Sequence, residues 1–425
     1  MTRTTKLFAA AALGIVFGVS ACHNDILFRP ANFVPIDPLF ERYVSFGNSI
    51  TAGFQSAGIN DSTQIQAYPV LLAGRMGSPF FVPYMNRPGC PPPYTNLWTP
   101  GGPSRVGGKT GAWCGDTLTG APRKNVAVPP PFISNVAVPG ATSLSPTDNQ
   151  SPFSNSNGLT TLFLGGLTQV QAAARAKPTF VTVWIGNNDV LGSILDTANA
   201  GNPALVTDTA VFRQRYVALL DSIDEIGPRG GVLIGVANVT LVPFLSRGSK
   251  FYKVQARQDS IPGPDTTSRH FPANFVVAPD CAGPHGDSVF VPFQRGAAVV
   301  AFARATGAPV GVDCDDVHNV SPAEFANLVA TVSRYNSVIS AEATARGYAY
   351  LDPNALFAAL PAGAIPTFPN ILSVTAPFPA SITTPFGTIF SLDGIHPTGA
   401  AHKLIANALI PTINAKYGTH IAPIP

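Results

Sequence analysis

Two short stretches near opposite ends of the sequence carry the side-chain types that nucleophilic chemistry uses. Gly47-Asn48-Ser49-Ile50-Thr51-Ala52-Gly53 follows directly on a strand-like run from Arg42 to Phe46. A serine on a tight, glycine-flanked turn exposes its hydroxyl and points its own backbone N–H toward the same space. A nucleophile with an adjoining oxyanion donor needs that arrangement. Far downstream, Asp393-Gly394-Ile395-His396-Pro397 sets an acid and an imidazole three residues apart in a turn ahead of a helix. There a carboxylate can hold the imidazole tautomer while the other ring nitrogen faces a serine. Read singly, each stretch is also an ordinary turn: Gly-x-Ser commonly ends a strand, and Asp-x-x-His commonly opens a capped helix.

Between them lie Asn135-Val136-Ala137-Val138-Pro139-Gly140-Ala141-Thr142 and Gly186-Asn187-Asn188-Asp189. A glycine lets its backbone N–H approach a substrate oxygen closely, and an asparagine amide can add a second donor to the same oxyanion.

The elements that must position these residues alternate between strand and helix patterns. Phe180–Ile185 and Val232–Ala237 read as buried strands, and Tyr348–Leu351 as a shorter one. Phe212, Tyr216, Leu219, Leu220 and Ile223 recur at helical spacing, with Gly227 closing that helix. Ser321, Pro322 and Glu324 form the start signal of a second helix, whose apolar stripe runs Phe325, Leu328, Val332, Tyr335, Ile339 before Gly347. A final helix is expected from about Thr398 to Tyr417, bent at Pro411. Such alternation implies an α/β fold with a parallel sheet covered on both faces. In open parallel sheets, reactive groups gather at the carboxyl ends of the strands. Two stretches, about 86–131 and 242–320, read as irregular insertions, each with two cysteines.

Taken in order, these four clusters resemble the blocks of SGNH/GDSL hydrolases, and Phe390-Ser391-Leu392-Asp393-Gly394-Ile395-His396-Pro397-Thr398 is especially similar to the terminal block. The resemblance covers most of the chain after its first few dozen residues. It implies a flavodoxin-like three-layer α/β/α fold with a central parallel sheet, here with two disulfide-stapled loop insertions. It implies Ser49 as nucleophile, Asp393 and His396 as the rest of a triad, and Gly140 and Asn188 joining the Ser49 N–H in an oxyanion hole. No metal or organic cofactor is called for. The first block departs from the usual Gly-Asp-Ser by carrying Asn48, which removes a charge beside the nucleophile. The α/β-hydrolase elbow fits less well, because Thr51 stands where that motif wants its last glycine and the serine follows the first strand. The substrate is left open between acyl esters near a membrane and acetylated polysaccharide. A non-catalytic binding module that keeps the scaffold is the reading from another class.

Other features narrow the setting. Arg3 and Lys6 precede an apolar run, Leu7–Val19, that ends Val19-Ser20-Ala21-Cys22. This has the layout of a secretory signal and looks like a bacterial lipobox with Cys22 as the lipidated residue; an ordinary signal peptide with a chance cysteine is the alternative. The expected organisation is a signal at 1–21, a tether at 22–40, the hydrolase domain at 41–418 and a tail at 419–425. The mature chain would be exported and anchored in the envelope, at the outer membrane since His23 stands where an inner-membrane retention Asp would be, and monomeric. The other cysteines are expected to pair locally, Cys90–Cys114 and Cys281–Cys314, rather than bind metal, since no Cys-x-x-Cys occurs. A net charge of +3 over 425 residues, with no Lys/Arg run, argues against nucleic acid as a partner. Asp313-Cys314-Asp315-Asp316-Val317-His318 reads as a solvated acidic turn, His402 as a helix-surface histidine, and Tyr94, Trp98 and Trp113 as either groove lining or a loop's small core.

Overall fold

Four runs dense in β-branched and aromatic residues form the central sheet: β1 (Tyr43–Gly47), β2 (Phe180–Trp184), β3 (Gly230–Ile234) and β4 (Ala349–Leu351). The structure, a computed structural model, describes residues 35–97, 103–108, 130–261, 270–369 and 384–425. The strands lie in the order β1-β2-β3-β4, every pair parallel, with Tyr43 beside Phe180 and Phe180 beside Gly230. A parallel bridge between Ser45 and Asn135 places the second pass of the chain outside β1. The passes therefore run second, first, third, fourth, fifth, and the chain reverses direction across the sheet at β1. In doubly wound sheets of this order, ligands bind in the crevice at the carboxyl ends beside that reversal.

Because side chains alternate faces along a strand, each strand feeds two cores. Val181, Val183 and Phe46 point to one face, where α3 (Gln169–Ala176), α5 (Thr209–Ile226) and α6 (Pro322–Ala345) cover them. Phe180, Trp184, Val232 and Ile234 point to the other, under α2 (Tyr68–Met76) and α8 (Gly399–Tyr417). The result is a three-layer α/β/α arrangement. The capping box at Ser321 and Glu324 is formed, and Gly227 closes α5 in a left-handed conformation. Pro411 lies inside α8, and β3 begins two residues ahead of the sequence expectation, at Gly230.

Three segments differ from the sequence reading. The stretch at 242–320 is not an irregular loop. It holds helices Gly248–Gln255 and Phe293–Thr306, short strand pairs, and a core of its own built on Phe251, Phe271 and Phe275. Its strands are only three residues long, too short to show a period in sequence. The Cys281–Cys314 disulfide sits in that core. The described end of the tether is docked: Phe40 is buried edge-on against Phe180. Residues 419–425 also pack back, with Asn414 and Asn407 accepting from the N–H groups of Ile421 and Ile424. Cys22, the signal segment, Cys114, Trp98 and Trp113 fall outside the described residues, so the Cys90–Cys114 pairing does too. Among the described residues, no helix is long and apolar enough to cross a membrane.

Candidate active site

The site is built from turns at the carboxyl edge of the sheet. After β1 the chain turns into a single helical turn, α1 (Ser49–Ala52), with Ser49 at its first position. Asn48 caps it, its side-chain oxygen accepting the Ile50 N–H at 3.0 Å. Gly47 is required by packing, since a Cβ there would lie 2.1 Å from the Thr51 hydroxyl. Buried Gln169 on α3 takes the Gly47 N–H on its carbonyl oxygen and donates its amide N–H to the Gly47 carbonyl. Thus α1 is held from both sides, and a buried side chain fixes the peptide leading into Ser49.

The second half is the turn before α8. Its mouth is closed by Ser391 N–H donating to the His396 carbonyl and Gly394 N–H to the Ser391 carbonyl. The turn brings His396 over Ser49: Nε2 lies 2.9 Å from the Ser49 Oγ, and Nδ1 lies 2.8 Å from the Asp393 Oδ2. The imidazole also packs against the Phe54 ring, centroids 4.9 Å apart. Ser49 is 7% exposed and lines the adjoining pocket.

Asp393 is saturated with donors. Oδ1 accepts from the backbone N–H groups of Ile395 and His396 and from the Ser391 hydroxyl. Oδ2 accepts from His396 Nδ1 and, at 2.6 Å, from the Ala57 N–H. Burial alone would raise the carboxyl pKa. The charge of His396 and these hydrogen bonds outweigh burial and hold it at about 2. The Ala57 N–H is aimed by a turn in which Ser56 and Ala57 both take left-handed backbone angles, φ 54° and 51°. Such angles cost non-glycine residues about 1 kcal/mol each. That turn is further stitched to the Asp393 turn by Ser56 N–H donating to Ser391 Oγ and Leu392 N–H to Ser56 Oγ. The sequence reading missed Ser56, Ala57 and Ser391; their types carry no signal, and only the tertiary contact reveals their part.

The donors form a third group. Asn188 opens α4 (Asn188–Ile194) just past β2 and lines the same pocket as Ser49 and His396. One of its amide N–H groups donates to the Ala141 carbonyl at 2.9 Å, tying it to the Gly140 loop. Next to it, fully buried Asp189 accepts both the Ser143 N–H and hydroxyl. Burial pushes the Asp189 carboxyl upward in pKa, and the Ser143 donors pull against that. Gly140 has φ +86°, a left-handed angle, and a Cβ there would meet the Asn155 and Asn157 amides at 3.0 and 3.2 Å. It does not line the pocket itself. Val138 N–H donates to the Gly47 carbonyl, which lays this loop along α1. Among the described residues, neither the Ser49 nor the Gly140 N–H makes a hydrogen bond, so both remain available as donors.

His402 is not on the helix surface. It is fully buried, accepts the Tyr68 N–H on Nδ1 at 3.2 Å and stacks with the Tyr68 ring. Its position on the stripe His402, Ala406, Leu409, Ile410, Ile413 was the signal that it faces inward. Tyr94 lies away from the pocket, with the Arg105 guanidinium over its ring. In the acidic turn, Asp316 pairs with Arg295 and His318. The ligand atoms of Asp280, His285 and Asp315 lie within 4.8 Å of one another, and His285 Nε2 is paired with Asp315 Oδ1 at 3.1 Å.

Chemically, the Ser49–His396–Asp393 chain can move a proton from a hydroxyl to an imidazole whose positive charge is met by a fixed carboxylate. No family model matches the chain, and no curated protein matches it. Among solved structures, a catalytic mutant of Axe2, an acetylxylan esterase from Geobacillus stearothermophilus, aligns over 91% of this chain and 97% of that one. The identity is 11% and the TM-score 0.36, a superposition too loose to transfer any residue or activity.

Proposed function

We propose that the chain is a serine hydrolase of the SGNH/GDSL type that cleaves carboxylic esters through an acyl-enzyme. The observation that carries this reading is the continuous hydrogen-bonded chain from Ser49 Oγ through His396 to Asp393, opening on a pocket. Ser49 Oγ attacks the ester carbonyl carbon while its proton passes to His396 Nε2. The resulting oxyanion is met by the N–H groups of Ser49 and Gly140 and by the Asn188 amide. The tetrahedral carbon expels the alcohol, which takes the proton from Nε2, leaving the acyl group on Ser49. Water then repeats the sequence, giving its proton to Nε2 as it attacks, and Ser49 recovers a proton as the acid departs. Asp393, already charged and saturated, stabilises the imidazolium in both halves. Asn48 keeps the capping role at the start of α1, so the missing charge leaves the triad intact.

The same proposal takes Cys22 as a lipid-bearing residue that anchors an exported chain in the cell envelope, on the strength of the Arg3-to-Cys22 run. Hydrolysis of p-nitrophenyl esters by the full chain, beside Ser49→Ala, tests the chemistry. Turnover should fall about 10⁴-fold or more in the variant. Equal turnover by both would remove Ser49 as the nucleophile, and none by either would leave an acylated glycan as substrate or the non-catalytic binding reading.

A further inference from the structure

The pocket that holds Ser49 is far more apolar than ester chemistry alone requires, and its shape bears on what the ester carries. Its volume is about 300 Å³. The polar side chains at its walls are those of Asn48, Ser49, Asn187, Asn188, Asn238 and His396. Among the described residues, no Lys, Arg, Asp or Glu lines it. Ile50, Trp184 and Leu191 contribute hydrocarbon from α1, β2 and α4, and three further elements add more. The short helix α7 (Pro353–Ala358), which begins just past β4, brings Leu356 and Phe357. α8 brings Leu404 and Ile405, and the segment before the His396 turn brings Ile389 and Phe390.

Several of these walls are incompletely covered by the protein. Leu356, Phe357 and Ile405 are only half-buried, and Leu404 is 46% exposed. Apolar side chains left open around a cavity mark a place where a ligand completes the burial. An acetyl group has a single methyl and would leave most of this surface wet. A sugar ring would strip its hydroxyls of water against walls that return no hydrogen bonds, which is costly.

We infer that this pocket is the acyl-chain site and that the preferred substrate is an ester of a medium-chain fatty acid. The inference rests on the serine-hydrolase reading above. The acyl group is the part that stays on Ser49 between the two half-reactions, while the alcohol departs, so an enclosed wall at Ser49 serves the acyl side. If a methylene takes roughly the space of a water, about 30 Å³, the pocket holds about ten carbons. Chain length is limited by the side chains that α7 and α8 set into the pocket, Leu356 and Leu404.

The test is a kcat/KM series on p-nitrophenyl esters from acetate to palmitate, with a parallel series of alkyl acetates in which only the alcohol lengthens. Each methylene buried should raise kcat/KM about fourfold, up to about eight to ten carbons, with no further gain beyond. The alkyl acetate series should stay nearly flat. Leu356→Trp, and separately Leu404→Trp, should move the optimum to shorter acyl chains and lower the decanoate-to-acetate ratio at least tenfold. Labelling of Ser49 by a small fluorophosphonate shows that each variant remains folded and reactive. A wild-type optimum at acetate, or an optimum in the alcohol series, would overturn the inference and leave the serine mechanism standing. Variants that label normally yet keep the parent profile would overturn it too. Absence of both labelling and turnover would remove the reading beneath it.

Discussion

At the scale of single residues, the site is a set of polar atoms whose hydrogen bonds are nearly all assigned. Asp393 accepts from five donors, and the consequence is a carboxyl that stays ionised to a pKa of about 2. In an unfolded chain the same group titrates near 3.9. Its pKa is depressed on folding, so its contribution to stability is complete above about pH 4 and is lost as pH falls through 2, on the order of 2 kcal/mol. Asp393→Asn keeps the shape of the side chain, but its amide cannot hold the imidazole tautomer or meet its charge. It should lower kcat about 10⁴-fold with little change in KM, measured by steady-state ester hydrolysis. The residues with reactive side chains were legible because Ser49, Asn188, Asp393 and His396 sit at element boundaries among glycines and asparagines. Ser56 and Ala57 were not. Their backbone donors reach Asp393 and Ser391 only after 336 and 335 residues of intervening chain have folded, and no residue type announces a backbone N–H.

At the scale of elements, α1, α7 and α8 each bring one wall or one reactive group to the carboxyl edge of the sheet. The helix stripes on α5 and α6 were readable since 18 and 24 residues give several turns of period. The three-residue strands of 245–312 gave none, which is why that stretch read as a loop. α8 carries a group that a surface reading overlooked. His402, fully buried against Tyr68, is held neutral: burial first, and the charge of His396 second, push it down to about 3. A free imidazole titrates near 6.5. Between those values the unfolded chain takes up a proton that the native chain refuses. The native state is therefore whole above pH 6.5 and loses stability as pH falls toward 3, by at most on the order of 5 kcal/mol. His402→Asn retains an acceptor for the Tyr68 N–H and cannot titrate. It should flatten the curve of Tm against pH over that window, followed by thermal melts; an unchanged slope would show that other groups govern acid lability.

At the scale of the whole molecule, a three-layer scaffold carries the pocket and a separate lobe at 245–312 has its own core around the Cys281–Cys314 disulfide. Among the described residues, none of this lobe lines the Ser49 pocket. The crosslink spans 33 residues, which by loop entropy contributes roughly 3 to 4 kcal/mol. Cys281→Ser with Cys314→Ser should therefore lower Tm while leaving kcat/KM at 25 °C close to the parent value. The parallel sheet and its covering helices followed from alternating patterns in the sequence, whereas the size of the pocket depends on how several distant segments lean together. The proposed chemistry rests on Ser49 as a nucleophile made reactive by His396. Mass spectrometry of the full chain after fluorophosphonate treatment tests it most directly. One adduct per chain is expected, mapped to the peptide bearing Ser49, with a labelling rate at least a hundredfold lower in His396→Ala. An unlabelled folded protein, an adduct at another residue, or equal rates in parent and variant would contradict it.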